Sequence, residues 1–157
     1  MRMKMNERFK KLIEEMPGML QSLESKPFRT RDNLVGIPAQ GVYVFYENNK
    51  ALYVGRSNRL KERIQEHSRP SSKKNSATFA FNIAGKEMAR YRDISMYVTR
   101  KELEQISGFN RGFVKAKKRV SKMKIRVVQI DNQIEQALFE IYAALALKTS
   151  YNDFRTH

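Results

Sequence analysis

The sequence predicts an α/β domain in which a small sheet is flanked by helices. Three observations carry this expectation. Two short aromatic and β-branched runs flank Asn48-Asn49, apolar residues recur at helical spacing before and after them, and a strand-like run, Met123 to Ile130, lies between helical segments. At 157 residues the chain has room for one domain and an accessory arm.

The elements follow in order. Phe9, Leu12, Ile13, Met16, Met19, Leu20 and Leu23 recur at helical spacing behind Asn6, an N-cap residue, so the helix runs to about Leu23, with Pro17 expected to break or kink it. Pro27 to Gln40 is polar and aperiodic and reads as a linker. Gly41 to Tyr46 and Ala51 to Gly55 then form a hairpin. A two-residue Asn-Asn loop sends Tyr43 and Tyr53 to opposite faces, whereas a three-residue loop from Glu47 puts them on one face. Ser57 or Asn58 caps a helix with Leu60 and Ile64 inward and Arg59, Arg63 and His67 in an i, i+4 row. A cationic loop, Arg69 to Phe79, leads to a short helix near Phe81 to Met88 and a strand from Ile94 to Thr99. Two helices meeting near Ser107-Gly108 come next, then the strand from Met123 to Ile130. The last helix, Gln133 to Lys148, carries one apolar stripe of Ile134, Ala137, Leu138, Ile141 and Leu145.

Composition narrows the partners. The chain has 31 Lys+Arg against 16 Asp+Glu, a formal charge of +15 that favours a polyanion, with nucleic acid ahead of a membrane surface. No run approaches the roughly 18 apolar residues of a membrane span, and the basic start MRMKMNERFKK lacks a signal-type apolar core, so a cytoplasmic protein is expected. The absence of cysteine excludes thiolate chemistry and Cys-ligated zinc. Any metal must rest on oxygen ligands, which suits Mg²⁺ or Mn²⁺.

Four features are candidates for chemistry, and each has an ordinary reading beside it. Gly55-Arg56-Ser57 precedes a helix N-terminus, which favours phosphate, although most such turns bind nothing. Arg63 and His67 on a basic helix would usually be a solvated face. Glu140 lies about 120° from the centre of the last helix's stripe, beside the small Ala137 and Ala144, where it can face a cleft or simply face solvent. Strand tyrosines usually pack with their hydroxyls at the rim.

Together these residues resemble the GIY-YIG nuclease domain. GVY at Gly41 to Tyr43 matches the first motif and YVG at Tyr53 to Gly55 the second, with valine replacing both motif isoleucines. Arg63 follows that glycine by eight positions, and His67 follows Arg63 by four. Glu140 and Asn152 match the family's glutamate and later asparagine, in an arrangement close to that of the excision-repair incision subunit's N-terminal half. The resemblance covers about Pro38 to Phe154, which divides the chain into an N-terminal helical arm and linker (1–37) and a nuclease domain (38–157) with an insertion at about 68–122.

The resemblance implies a mainly antiparallel or mixed sheet flanked by helices. It also implies an endonuclease that hydrolyses DNA with one Mg²⁺ or Mn²⁺ held by Glu140. Arg63 would stabilise phosphate charge, Tyr43 would act as general base if a nearby cation lowers its pKa, and Tyr53 or His67 would position water or phosphate. Gly41 and Asn152 would support the site, and Gly55, Arg56, Ser57 and Arg59 would contact phosphate. Arg56 stands where some members carry lysine, keeping charge but not easy deprotonation. A shared site requires Tyr43 and Tyr53 on one face, hence the three-residue loop or an equivalent bulge. The alternative function is a nucleic-acid-binding module with weak or no cleavage.

Asn110 to Arg126 is the densest basic segment and contains no acid, so Lys115, Lys117, Lys118 and Arg119 are expected to meet the DNA backbone. The same region outlines a helix-turn-helix, with a Thr99/Glu102 capping box and Gly108 at the turn, but Glu104 sits where that motif prefers a small residue. A phosphate-tracking helix is the simpler reading. With one site per chain, cutting double-stranded or branched DNA on both strands requires a homodimer or two successive events.

Overall fold

The computed structural model describes residues 2–92 and 99–155, and side-chain surroundings for all of these except 91 and 92. The expected strand at 94–99 falls almost wholly outside them. Helix α1, Glu7–Ser25, starts at Asn6, whose side chain accepts from the Phe9 amide at 3.0 Å. Pro17 neither breaks nor ends it. That residue lies on the exposed side of the helix.

Strands β1 (Gly41–Glu47) and β2 (Lys50–Ser57) form the hairpin. They are followed by helices α2 (Leu60–Glu66), α3 (Thr78–Arg92), α4 (Arg100–Glu104) and α5 (Phe109–Ser121). Strand β3 (Lys124–Gln129) and helix α6 (Gln133–Ala146) complete the order. The sheet is antiparallel throughout, in the order β2-β1-β3. The outer edge of β3 is partly closed by the polar linker, where Arg29 and Ile125 exchange backbone hydrogen bonds of 2.7 and 2.8 Å. This pairing blunts an otherwise open edge.

The two faces of the sheet bury separate clusters. Tyr43, Phe45 and Tyr53 join Leu60, Ile64, Phe79, Phe81 and Phe109 on one side. Val42, Val44 and Val54 join Met16 and Leu23 of α1 and Phe139 of α6 on the other. Burying Phe139 completely is worth about 2–3 kcal/mol. The long middle is therefore part of the core, since α5 packs on α3 through Phe81, Phe109 and Phe113 with ring centroids 5.0–6.3 Å apart.

Two local expectations are corrected. Neither Ser57 nor Asn58 caps α2: Ser57 accepts from the Arg59 amide within a turn, and Asn58 bonds Gln133 and Gln136 of α6. The apolar stripe of α6 is not its packed face, for Ile134, Ile141 and Leu145 are 48, 47 and 72 % exposed. The helix instead buries Gln136, Phe139, Ala143 and Ala144. Gln136 tolerates burial because its amide donates to the Ile130 carbonyl at 2.7 Å and to Asn58 at 3.1 Å. The Thr99/Glu102 capping box forms reciprocally, and Gly108 starts α5 at φ 86°.

Candidate active site

The hairpin phases the tyrosines by combining a short loop with a bulge. Asn48 and Asn49 take positive φ values of 51° and 62° in a two-residue turn, and Glu47 pairs with Lys50. Leu52 is then left out of register: Phe45 pairs with Tyr53 and Tyr46 with Ala51. The extra residue returns Tyr53 to the Tyr43 face. The tyrosines are diagonal neighbours rather than a directly opposed pair, because Gly55 stands opposite Tyr43.

Gly55 leaves that space empty for a reason. A Cβ there would lie 2.3 Å from both Cζ and Oη of Tyr43, so the phenol lies directly across the glycine. Gly41 does the same for the backbone, since a Cβ would lie 2.0 Å from the Val128 carbonyl oxygen on β3. The Tyr43 hydroxyl reaches His67 Nε2 at 2.6 Å. His67, at the C-cap of α2, is fully buried in a ring cage of Tyr43, Phe45 and Tyr53, with centroids 5.3–5.5 Å away. Its Nδ1 is also buried and has no hydrogen-bond partner. Burial, reinforced by Arg63, holds the His67 pKa well below its usual value, so the ring is neutral.

Arg63 projects from the same helix into a half-buried position. One guanidinium nitrogen donates to the Ser76 carbonyl at 2.7 Å and contacts Glu66 at 3.3 Å, and Glu66 also reaches Arg59 at 3.5 Å. Burial drives the Tyr43 pKa well above that of a free phenol, Tyr53 and Glu140 add to the rise, and Arg63 opposes it. Tyr53 is pushed up to about 12, again by burial, with Arg63 and Arg100 opposing and Glu140 adding. Glu140 comes from α6, on the far side of the sheet, yet its charge is felt by both phenols. It contacts Arg56 at 3.9 Å, and burial raises its own pKa against that arginine's pull.

Asn152 ties the C-terminal segment to the edge of β2. Its side chain accepts from the Val54 amide at 2.9 Å and from Thr149 at 2.7 Å, and donates to the Val54 carbonyl at 2.8 Å. This amide pairing holds the strand between Tyr53 and Gly55. Among the described residues no group of three His, Asp or Glu side chains is placed to share an ion. A single part-buried carboxylate does fit a hydrated Mg²⁺ or Mn²⁺, which takes one or two protein carboxylates and completes its shell with water and substrate phosphate.

Several expected contacts are redirected. At the start of α2 the Leu60 amide already donates to the Ala39 carbonyl and the Arg59 amide to the Ser57 hydroxyl, so these two amides are not open to phosphate. Lys117 is only 6 % exposed, with its ammonium bonded to the Pro70 and Ser72 carbonyls at 2.7 and 2.9 Å, so it cannot lie along DNA. Arg119 forms a bidentate pair with Glu47 at 2.7 and 2.9 Å and also meets Glu87. Lys115 and Lys118 do face solvent, together with Arg111 on the same side of α5.

Phe79, Glu66 and the Ser76 carbonyl join the site without having been anticipated. Phe79 stacks on Tyr53 at 4.8 Å and 11°. Glu66 had a local signal, three positions after Arg63 and seven after Arg59 on one helix face. Phe79 and Ser76 had none, because their approach depends on the path of the cationic loop.

No helix among the described residues is long and apolar enough to cross a membrane. No curated protein and no solved structure shows significant similarity to the chain. The sequence profile of the GIY-YIG catalytic domain, however, matches residues 39–152, spanning both tyrosine motifs, Arg63, Glu140 and Asn152. With most of its length inside that match, and with a three-stranded antiparallel sheet bringing these residues to one place, the chain belongs to the GIY-YIG family.

Proposed function

We propose that this GIY-YIG protein is a divalent-metal-dependent endonuclease that hydrolyses DNA phosphodiester bonds. The observation that supports it most is geometric: the buried rings of Tyr43, Tyr53 and His67 pack together, with Arg63 held beside them by the Ser76 carbonyl and the part-buried Glu140 carboxylate delivered from the opposite layer. Arg63 stabilises the extra negative charge that the phosphate gains in the transition state. Its hold on the Ser76 carbonyl and Glu66 fixes the guanidinium before substrate arrives. A single Mg²⁺ or Mn²⁺ on the Glu140 carboxylate would supply positive charge to the phosphate and to its leaving 3′ oxygen.

The Tyr43–His67 contact defines the proton route. Neutral His67 has one N–H to place, and an unpartnered buried N–H costs more than an unpartnered lone pair. When Tyr43 is ionised that N–H is Nε2–H, donating to the phenolate oxygen across 2.6 Å, and when Tyr43 is a neutral phenol its own O–H donates to Nε2. Burial favours the neutral phenol, so the Tyr43 proton must first leave to solvent, with Arg63 and the Nε2–H donation offsetting part of the cost of the buried phenolate. The phenolate accepts a proton from the attacking water as the water oxygen bonds phosphorus and the bond to the 3′ oxygen breaks. His67 is thus a support behind Tyr43 rather than a contact to phosphate. One site per chain means that cutting both strands takes a homodimer or two events.

The test is cleavage of supercoiled plasmid, branched DNA and single strands in Mg²⁺ or Mn²⁺, comparing the protein with Glu140→Gln and Arg63→Ala. Each substitution is expected to lower the rate by roughly 10²–10³-fold. Cleavage that survives both would refute the site, and binding without cleavage on every substrate would favour a nucleic-acid-binding module.

A further inference from the structure

Lys117 is a basic residue in a basic segment, yet it points inward. Its ammonium donates to the Pro70 and Ser72 carbonyls at 2.7 and 2.9 Å and lies 4.5 Å from the centroid of the Phe113 ring. Two charge-assisted hydrogen bonds therefore clamp one short loop to α5, and the cation-π contact with Phe113 of the same helix steadies the ammonium. The loop is stiff beyond the clamp: the Lys73 carbonyl accepts from both the Ser76 and Ala77 amides, at 3.0 and 2.8 Å. Lys74 anchors its other side to Glu104 at 3.3 Å. At the far end of this braced segment, the Ser76 carbonyl takes the 2.7 Å hydrogen bond from Arg63.

We propose that Lys117 is a positioning residue for cleavage, acting through the loop from Pro70 to Ser76 to hold the Arg63 guanidinium where the phosphate will sit. The inference rests on the reading of Arg63 given above. It assigns the insertion a role inside the active site, separate from DNA contact by the exposed face of α5. Without the ammonium, two carbonyls lose their donors and the loop is free to shift. A misplacement of about 1 Å at a reacting centre can cost on the order of 100-fold in rate.

The experiment is a double-mutant cycle with Lys117→Met and Arg63→Ala, reading kcat on plasmid DNA alongside DNA affinity measured without divalent metal. Lys117→Met is expected to lower kcat by roughly 10- to 100-fold with affinity unchanged, and to have no further effect in the Arg63→Ala background. Lys117→Arg, which restores a cation, is expected to recover part of the loss. If Lys117→Met does not fold, Lys117→Gln, which keeps two N–H donors without the charge, replaces it in the same cycle. An unchanged kcat, or a loss that multiplies with that of Arg63→Ala, would overturn the proposal while leaving the Arg63 reading intact. An unimpaired Arg63→Ala protein would overturn both.

Discussion

Replacing Gly55 with alanine puts a methyl group where the Tyr43 ring lies. The new Cβ would stand 2.3 Å from Cζ and Oη of Tyr43, whereas ordinary contact begins at 3.4 Å. The phenol must therefore move by about 1 Å, or β2 must move away from β1. The ring has little freedom, being 1 % exposed and bonded to His67 at 2.6 Å. A shift of that size stretches the bond toward or past the usual limit of about 3.2 Å for a nitrogen–oxygen hydrogen bond. Overpacking of this sort costs about 1–3 kcal/mol of stability. For a base that must meet a water within hydrogen-bond reach, a loss on the order of 100-fold in kcat is expected. The assay is single-turnover plasmid cleavage, with DNA affinity and urea unfolding measured in parallel. Gly112→Ala in α5 is the control, because nothing lies within 4 Å of its new methyl, and a helical Gly→Ala change should stabilise by roughly 0.5–1 kcal/mol. A Gly55→Ala protein that folds and cleaves like the parent would refute the placement of Tyr43 at the reacting centre.

Three further outcomes follow from the same contacts. Burial, with Arg63, depresses the His67 pKa below the 6.5 of an unfolded histidine, so its contribution to stability is complete above that pH and is lost as pH falls through it. Urea melts between pH 7.5 and 5.5 should show a slope of up to about 1.4 kcal/mol per pH unit that His67→Phe removes; equal slopes would mean that the ring titrates normally when folded. Asn152→Ala leaves the Val54 amide and carbonyl without their partners and should cost about 1–3 kcal/mol in unfolding experiments, with no cost expected if the tail does not brace β2. Replacing Arg111, Lys115 and Lys118 with alanine should flatten the log–log salt dependence of DNA binding by about 2–3, while Lys117→Met leaves the slope as it was. A slope unaffected by the triple change would remove the exposed face of α5 from the interface.

The outline of the site was readable wherever the required information is local or periodic. The two tyrosine motifs, the step from Gly55 to Arg63 and His67, and the pairing of Glu140 with Asn152 are spacings, and spacings survive in one dimension. The sharing of a face by the tyrosines could be required but not constructed, because the bulge at Leu52 reflects how the hairpin packs as well as its Asn-Asn turn. The α6 stripe misled because periodicity reports that a face is apolar, not which neighbour covers it. Gln136 goes inside with two hydrogen-bond partners while Leu145 stays out.

By itself the sequence determined the element order, the family motifs, the nucleic-acid-favouring charge and the absence of any thiolate, all of which depend on residue type and separation along the chain. Tertiary structure alone decided the rest. It made His67 a buried neutral support behind Tyr43, took Lys117 out of the basic surface and into a clamp, and set Glu140 within electrostatic reach of two phenols from across the sheet. The physical reason is that burial and charge proximity are properties of neighbours in space, and here those neighbours are as far apart in the chain as Val54 and Asn152, 98 positions.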